Sequence, residues 1–153
     1  MAKASRRLER WTDPILGDFT WDGGVWNGSC EVHGRTVRLQ LDPDSADPTP
    51  EEQLAVFEPS RPVLARVREA EPEFRRRAAE QVAAAVASQQ PQGRGRVTLP
   101  QARFADGLEL RSVSIHGCGE LHYNSPEFFP GWLVTVYFDE GVSFGGAEVY
   151  EAR

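Results

Sequence analysis

The stretch at residues 131–141 constrains the fold of this chain more than any other. Every residue from 132 to 138 is aromatic, β-branched or leucine, and these types suit a pleated surface. Successive side chains of a strand point to opposite faces, and here both alternating sets are largely apolar. We therefore predict a central strand, covered at least in part on both faces, that ends in the turn Asp139-Glu140-Gly141.

The strand pattern continues on both sides of this stretch. Alternation resumes after the turn, so residues 131–150 are predicted to form a hairpin, with Gly145-Gly146 as a bulge. A change of phase between Leu110 and Val113 predicts a second bulge in a strand at 108–116. The last third of the chain is therefore typical of an antiparallel meander.

The first half contains a second predicted hairpin and a helical segment. Strands at 26–32 and 37–41 are joined by His33-Gly34. Residues 49–52 read Thr-Pro-Glu-Glu, which is a helix start with a capping box and a proline at the first helical position. Apolar residues then recur at helical spacing to about residue 90, and Pro72 is expected to kink or divide this helix.

Together these patterns predict one α+β domain. The chain has 153 residues, a length that favours a single core. We expect an antiparallel β-sheet, made of the N-terminal hairpin and the C-terminal meander, with two or three helical segments packed on one face. The predicted parts of the 1–153 domain are an N-terminal arm at 1–17, extended or partly helical, a β-hairpin region at 19–41, a helical segment at 49–90 and the meander at 104–150.

The net charge of −6 lies entirely in the C-terminal third. Residues 1–103 carry 17 − 2 = 15 basic and 23 − 8 = 15 acidic side chains. The eight remaining acids outnumber the two remaining arginines: Asp106, Glu109, Glu120, Glu127, Asp139, Glu140, Glu148 and Glu151. Such a surface argues against binding nucleic acid, which requires clustered basic residues. It suits a basic protein partner, although acids also keep sheet edges and turns solvated.

Composition also bears on location. The chain has no apolar run near the length of a membrane span, and no apolar segment follows the basic residues at its start. Lys3 is the only lysine among many arginines, a usage typical of GC-rich bacterial genomes. We expect a bacterial cytoplasmic protein that does not bind membranes, in which Cys30 and Cys118 are reduced. The sequence gives no indication of the oligomeric state.

Enzymatic chemistry has one candidate group. The spacings Cys30-x-x-His33 and His116-x-Cys118-x-x-x-His122 place thiols and imidazoles beside hairpin turns. If the hairpins abut, the group is a candidate metal site or a thiolate nucleophile with its base. However, the spacings match no standard zinc module, and no zinc-protease helix occurs. The alternative is that these are ordinary turn histidines and small buried cysteines, so no cofactor is expected.

The candidate binding residues lie at the two ends of the stretch at 131–141. Phe128 and Phe129, in a proline-flanked loop, and the adjacent Trp132 would form an apolar binding patch if they were exposed. The burial preference of phenylalanine favours the alternative that the loop folds back over a helix. At the other end, Asp139 and Glu140 form an acidic turn suited to a basic partner.

The order of these motifs resembles an uncharacterised bacterial domain family, some of whose relatives are encoded beside toxin genes and are regarded as immunity proteins. The resemblance covers about residues 19–150. It rests on Trp26-Asn27-Gly28, residues 37–41, the helix start at 49–53, residues 128–139 and Ala147-Glu148-Val149. Family members often have histidine at the position of Trp132, so a role for that histidine does not transfer to this chain.

The resemblance implies a fold and an immunity-type role, and the family has no settled reaction. The absence of a standard zinc-binding or zinc-protease motif and the acidic C-terminal third point to the same class of function. We therefore expect a non-catalytic protein-binding module, with an immunity-type inhibitor of a basic toxin as its specific form. The alternative is a metal- or thiol-dependent enzyme that uses Cys30, His33, His116, Cys118 and His122.

Overall fold

One sheet carries most of the fold, and its strands lie side by side in chain order. The computed structural model describes residues 6–88 and 98–151, and in that part of the chain eight strands pair in the order β1 to β8. Their bounds are β1 (Arg10–Asp13), β2 (Gly17–Asp22), β3 (Val25–Val32), β4 (Arg35–Leu41), β5 (Glu109–His116), β6 (Cys118–Ser125), β7 (Phe129–Phe138) and β8 (Phe144–Glu151). The α+β class is confirmed.

The helices connect the two halves of the sheet. Strands β4 and β5 pair in parallel, whereas all other neighbours are antiparallel. Parallel neighbours require a crossover, and the segment between them contains α1 (Pro50–Leu54), α2 (Phe57–Ser88) and α3 (Gln101–Gly107). The N-terminal hairpin and the C-terminal meander are therefore parts of one continuous sheet. No helix in residues 6–88 or 98–151 is long and apolar enough to cross a membrane.

The core lies between α2 and one face of the sheet. Strand register places paired apolar residues in rows across that face, one of which runs Leu39, Val113, Leu121, Val136 and Ala147. Helix α2 packs on these rows. The ring of Phe57 lies 5.5 Å from Trp26 at one end of the helix, and Phe74 lies 6.3 Å from Phe138 further along.

The opposite face, here called the polar face, carries hydrophilic side chains. One row across it runs Asn27, Gln40, Ser114, Glu120 and Tyr137. Strand β7 lies second from the edge of the sheet and is not central. Its core-facing Val134 and Val136 are fully buried, whereas Leu133 and Tyr137 on the polar face remain half-buried. Thr135, between them on the same face, is buried, so the cover of this strand on the polar face is partial.

Several local predictions are confirmed. Thr49 and Glu52 form a reciprocal capping box at the start of α1. His33 and Gly34 both have positive φ and join β3 to β4 as a two-residue turn, which matches the twist of a hairpin. Register shifts mark bulges between Leu110 and Ser112 and beside the Gly145-Gly146 pair.

Four details differ from the sequence predictions. Part of the predicted arm forms the β1–β2 hairpin. Residues 101–107 form α3 and overlap the predicted start of the meander. Helix α2 continues through Pro72, because its packed face, buried on both sides of that residue, outweighs the lost hydrogen bond. In the β7–β8 turn, Val142 and not Gly141 has positive φ. Residues 1–5 of the predicted arm and 89–90 of the predicted helical segment lie outside the described residues.

Candidate functional site

An apolar depression lies on the surface where the second half of α2 passes over β7 and β8. This α2–β8 groove has a volume of about 490 Å³. Apolar residues dominate its lining, which comprises Gln81, Val82, Ala85, Val86, Phe129, Trp132, Ala147, Glu148, Val149 and Tyr150. Apolar grooves of this size are common ligand and peptide sites.

Two exposed aromatic side chains lie beside the groove, Trp132 on the face covered by α2 and Tyr150 on the polar face. Trp132 and Tyr150 each keep 42% of their surface accessible. Trp132 has the same phase in β7 as the buried Val134, but it lies where the pairing of β7 with β8 ends, opposite Glu151, the last described residue. Large aromatic side chains left exposed beside an apolar depression are typical of binding surfaces.

The groove also runs along an edge of the sheet. Among the described residues, β8 pairs with β7 alone. The backbone N–H of Ala147 donates to Oε1 of Gln81 at 2.5 Å, so this N–H points away from β7. In an antiparallel pair, successive residues direct their backbone groups alternately toward and away from the partner strand. Val149 and Glu151 therefore present their backbone N–H and C=O groups at the open edge.

Polar groups border the groove: Glu148 and Tyr150 lie on the polar face, and Glu151 lies on the same face as Val149. Glu148, Tyr150 and Glu151 are exposed. The hydroxyl of Tyr150 donates to Oε2 of Glu148 and contacts the hydroxyl of Tyr137. These hydrogen bonds, above all the one to Glu148, raise the pKa of Tyr150. Tyr150 therefore stays neutral at physiological pH, and the local charge at this edge is that of the glutamates.

The predicted binding residues occupy two separate places. Phe128 and Phe129 are half-buried, with their rings edge-on to Phe104 of α3 at 5.8 and 5.6 Å. Phe129 also lines the groove beside Trp132. Asp139 and Glu140 lie at the opposite end of β7, roughly 23 Å from Trp132 at the rise of a strand. There Asp139 Oδ1 accepts the N–H of Ser143 at 2.9 Å, so this carboxylate stabilises its own turn.

The cysteines and histidines considered for catalysis do not form one cluster. His33 lies at the β3–β4 turn, whereas His116 and Cys118 lie at the β5–β6 turn. Cys30 pairs with Val37, and the residue before His116 pairs with Leu41. These positions are about 13 Å apart along β4 at the rise of a strand. Nowhere in residues 6–88 and 98–151 do three or more histidine, cysteine or acidic side chains form a group able to hold a metal ion.

Each of these residues has its own local environment. Cys118 Sγ lies 3.4 Å from Nδ1 of His116. Burial raises the pKa of the Cys30 thiol to about 11, against the opposing charge of Arg68. An activated thiol needs a lowered pKa, so burial disfavours the thiolate form of Cys30.

His122 lies on the polar face between two oxygen groups. Its Nδ1 is 3.1 Å from the hydroxyl of Thr135, and its Nε2 is 3.1 Å from Glu120. Burial lowers the pKa of His122, and Glu120 opposes this shift. Glu120, His122 and Thr135 thus form a chain of carboxylate, imidazole and hydroxyl groups. However, Thr135 is only 2% exposed. A substrate therefore has no access to the hydroxyl.

One charged residue of α2, Glu71, is buried. Alternating arginine and glutamate predicts a solvated face, yet Glu71 is only 3% exposed. It accepts hydrogen bonds from Arg75 at 2.7 Å and from the hydroxyl of Tyr123 at 3.2 Å. Arg75 also donates to the carbonyl oxygens of Ala105 and Leu108. The hydrogen bonds of Glu71 and Arg75 therefore connect α2 to β6 and to the end of α3. The guanidinium of Arg75 makes its hydrogen bonds within the protein.

Most of the groove was missed by sequence reasoning. The β8 pattern of Val149 between Glu148 and Tyr150 is that of any half-buried strand, and Ala85 and Val86 look like ordinary helix positions. Their place at a sheet edge follows from the strand order, which the sequence does not state. The detectable signal was the tryptophan after a glycine, Trp132, at the start of a long strand.

Comparisons with protein-family models, with curated proteins and with solved structures find no match for this chain.

Proposed function

We propose that this chain is a non-catalytic protein-binding module that binds its partner at the α2–β8 groove. The observation that carries this proposal is the exposure of Trp132 and Tyr150 on the two faces of an open sheet edge, next to an apolar groove. Tryptophan and tyrosine are the residues that most often dominate the energy of protein interfaces. Their exposed surface gains free energy when a partner covers it.

The charge of the site favours a basic partner. Glu148 and Glu151 border the groove, and the C-terminal third of the chain holds the whole net charge of −6. Complementary charge accelerates association and excludes acidic competitors. A basic toxin is such a partner, and the resemblance to a family with immunity-type relatives supports this specific form. In that form the module neutralises the toxin by occupying its surface.

The test is co-expression with the products of the neighbouring genes. Each product would be expressed with and without this protein, and growth rescue and complex formation by light scattering would be measured. Trp132→Ala combined with Tyr150→Ala should abolish both effects, because the substitutions remove the two exposed anchors. The control is Ile15→Ala, which removes a still more accessible apolar side chain, 69% exposed, from the turn at the opposite edge of the sheet.

Two results would contradict the proposal. One is the failure of every neighbouring product to bind or to be neutralised. The other is a complex that forms equally well with the Trp132→Ala/Tyr150→Ala variant and the wild type, which would place the interface elsewhere. Thermal unfolding of each variant, measured by circular dichroism, shows that the loss of binding is not a loss of folding.

A further inference from the structure

We propose that the partner binds as an extended segment that adds an antiparallel strand to the β8 edge, with apolar and basic side chains alternating along it. The inference rests on the proposed protein-binding function and specifies the chemistry of the partner. Strand addition obtains affinity from main-chain hydrogen bonds and specificity from alternate side chains. Both requirements are met at β8.

The backbone of β8 offers a short docking edge. Val149 and Glu151 direct their N–H and C=O groups away from β7, as the position of the Ala147 N–H shows. Because the Ala147 N–H already donates to the side chain of Gln81, it cannot pair with an added strand at that point. Exposed edges are commonly protected in this way, and here the protection ends before Val149. The edge beyond Gln81 therefore accepts a short strand.

The groove determines the side chains of an added strand. A residue opposite Val149 places its side chain on the same face of the sheet as Val149, which is the face covered by α2. That side chain enters the groove beside Ala85 and Val86 and is therefore apolar. Its neighbours in the added strand point to the polar face, toward Glu148 and Tyr150. Basic side chains satisfy the glutamate there.

The same charges argue against a second copy of this chain as the occupant. Two β8 strands paired edge to edge would bring four carboxylates to one seam, Glu148 of each copy on the polar face and Glu151 of each copy on the opposite face. Like charges placed across a strand pair are destabilising. A basic segment from a different protein removes this repulsion and adds attraction.

The probe is a blocked peptide of alternating valine and lysine, compared with a peptide of the same composition in which valines and lysines form two separate blocks. Binding would be measured by titration with NMR detection of the labelled protein, and amide exchange would be followed at Val149 and Glu151. We expect the alternating peptide to bind and to slow exchange at these two amides about tenfold. We expect the block peptide to bind more weakly. Absence of binding by the alternating peptide, or shifts confined to other residues, would overturn the inference.

N-methylation of the peptide tests the backbone pairing without altering the protein. In an antiparallel arrangement the valine N–H groups face β8, whereas the lysine N–H groups face solvent. Methylation of the valine nitrogens should weaken binding about tenfold, and methylation of the lysine nitrogens should leave it unchanged. If methylation of the valine nitrogens and of the lysine nitrogens weakened binding equally, strand addition would be overturned. If only methylation of the lysine nitrogens weakened binding, the added strand would be parallel and the antiparallel direction would be overturned.

Protein variants separate this inference from the proposed function. Val149→Pro removes the outward N–H, whereas Val149→Ala shortens the side chain and keeps it. Loss of peptide binding in the proline variant alone supports strand addition. If binding of a partner depends on Trp132 and Tyr150 but tolerates Val149→Pro, the proposed protein-binding function stands and strand addition at β8 is overturned. Size-exclusion chromatography over a range of concentrations detects the dimer that a second copy would form, and a dimer through β8 would also overturn the inference.

Discussion

At the scale of single residues, the space around one glycine shows how closely the sheet and its neighbours are packed. A Cβ atom at Gly119 would lie 2.3 Å from the carbonyl oxygen of Ser114 and 2.3 Å from Cζ of Phe138. One obstacle is backbone and the other is a core ring, so neither can yield freely. Glycine is therefore required here by contact and not by a turn.

Gly119→Ala should reduce the free energy of unfolding by about 1–3 kcal/mol, because the added methyl group overpacks the core. Urea denaturation followed by circular dichroism would measure the change. The control is Gly24→Ala, since a Cβ at Gly24 meets nothing within 4 Å and alanine at such sites is neutral or mildly stabilising. Similar stabilities for the two variants would contradict the packing argument.

Thiol chemistry also belongs to this scale. Burial raises the pKa of Cys30 to about 11, so little thiolate exists at pH 8. In a Cys118→Ser variant, the native Cys30 should react with an aromatic disulfide roughly a hundredfold more slowly than in the urea-unfolded chain. The matched control is Cys30→Ser, in which the reaction rate of Cys118 alone is measured. Rapid reaction of native Cys30 would instead revive the thiol-dependent alternative.

At the scale of elements, one buried ion pair fastens the first hairpin to α2. Asp13, at the end of β1, is 2% exposed, and its Oδ1 accepts a hydrogen bond from Arg61 at 2.6 Å. The N–H groups of Ile15 and Leu16 also donate to Asp13. These bonds, led by the one from Arg61, lower the pKa of the carboxyl. The short hairpin thus depends on a polar anchor as well as on Phe19.

Asp13→Asn should reduce the free energy of unfolding at pH 7 by about 1–3 kcal/mol, because it removes a charge-assisted pair. The folded pKa is depressed, so the carboxylate contributes its full stability above the unfolded value of about 3.9. That contribution is lost as the pH falls through the lower folded pKa. The wild type should therefore lose its advantage over the variant in acid.

Urea unfolding at a series of pH values from 7 to 2 would measure this convergence. Asp22→Asn is the control, since Asp22 is an exposed aspartate on β2. A constant difference between the wild type and Asp13→Asn over the whole range would contradict the assignment of the pair.

At the scale of the whole molecule, the parallel β4–β5 pair decides where function can lie. It joins an N-terminal four-strand sheet segment to a C-terminal one, and α2 crosses over both. The order leaves β1 and β8 at the two edges. Only β8 combines an open edge with exposed aromatic residues and an apolar groove under α2, within the residues that the structure describes.

The sequence by itself determined the local structure. Period-two alternation placed the strands of both hairpins, the capping box at Thr49 placed the start of α1, and phase changes located the bulges near Leu110 and Gly145. These signals depend on neighbours in the chain, because turns, caps and side-chain alternation are short-range. They also indicated an α+β chain with an acidic C-terminal third.

The tertiary structure decided what no local pattern contains. Strand order made β8 an edge strand and brought Ala85 and Val86 over Val149. It also left Trp132 exposed, although Val134 and Val136 on the same face of β7 are buried. It buried Glu71 within a helix face that looks solvated, and it separated His33 from His116. Burial and proximity arise from contacts between residues far apart in the chain, so the same alternating pattern describes a covered strand and an open edge equally well.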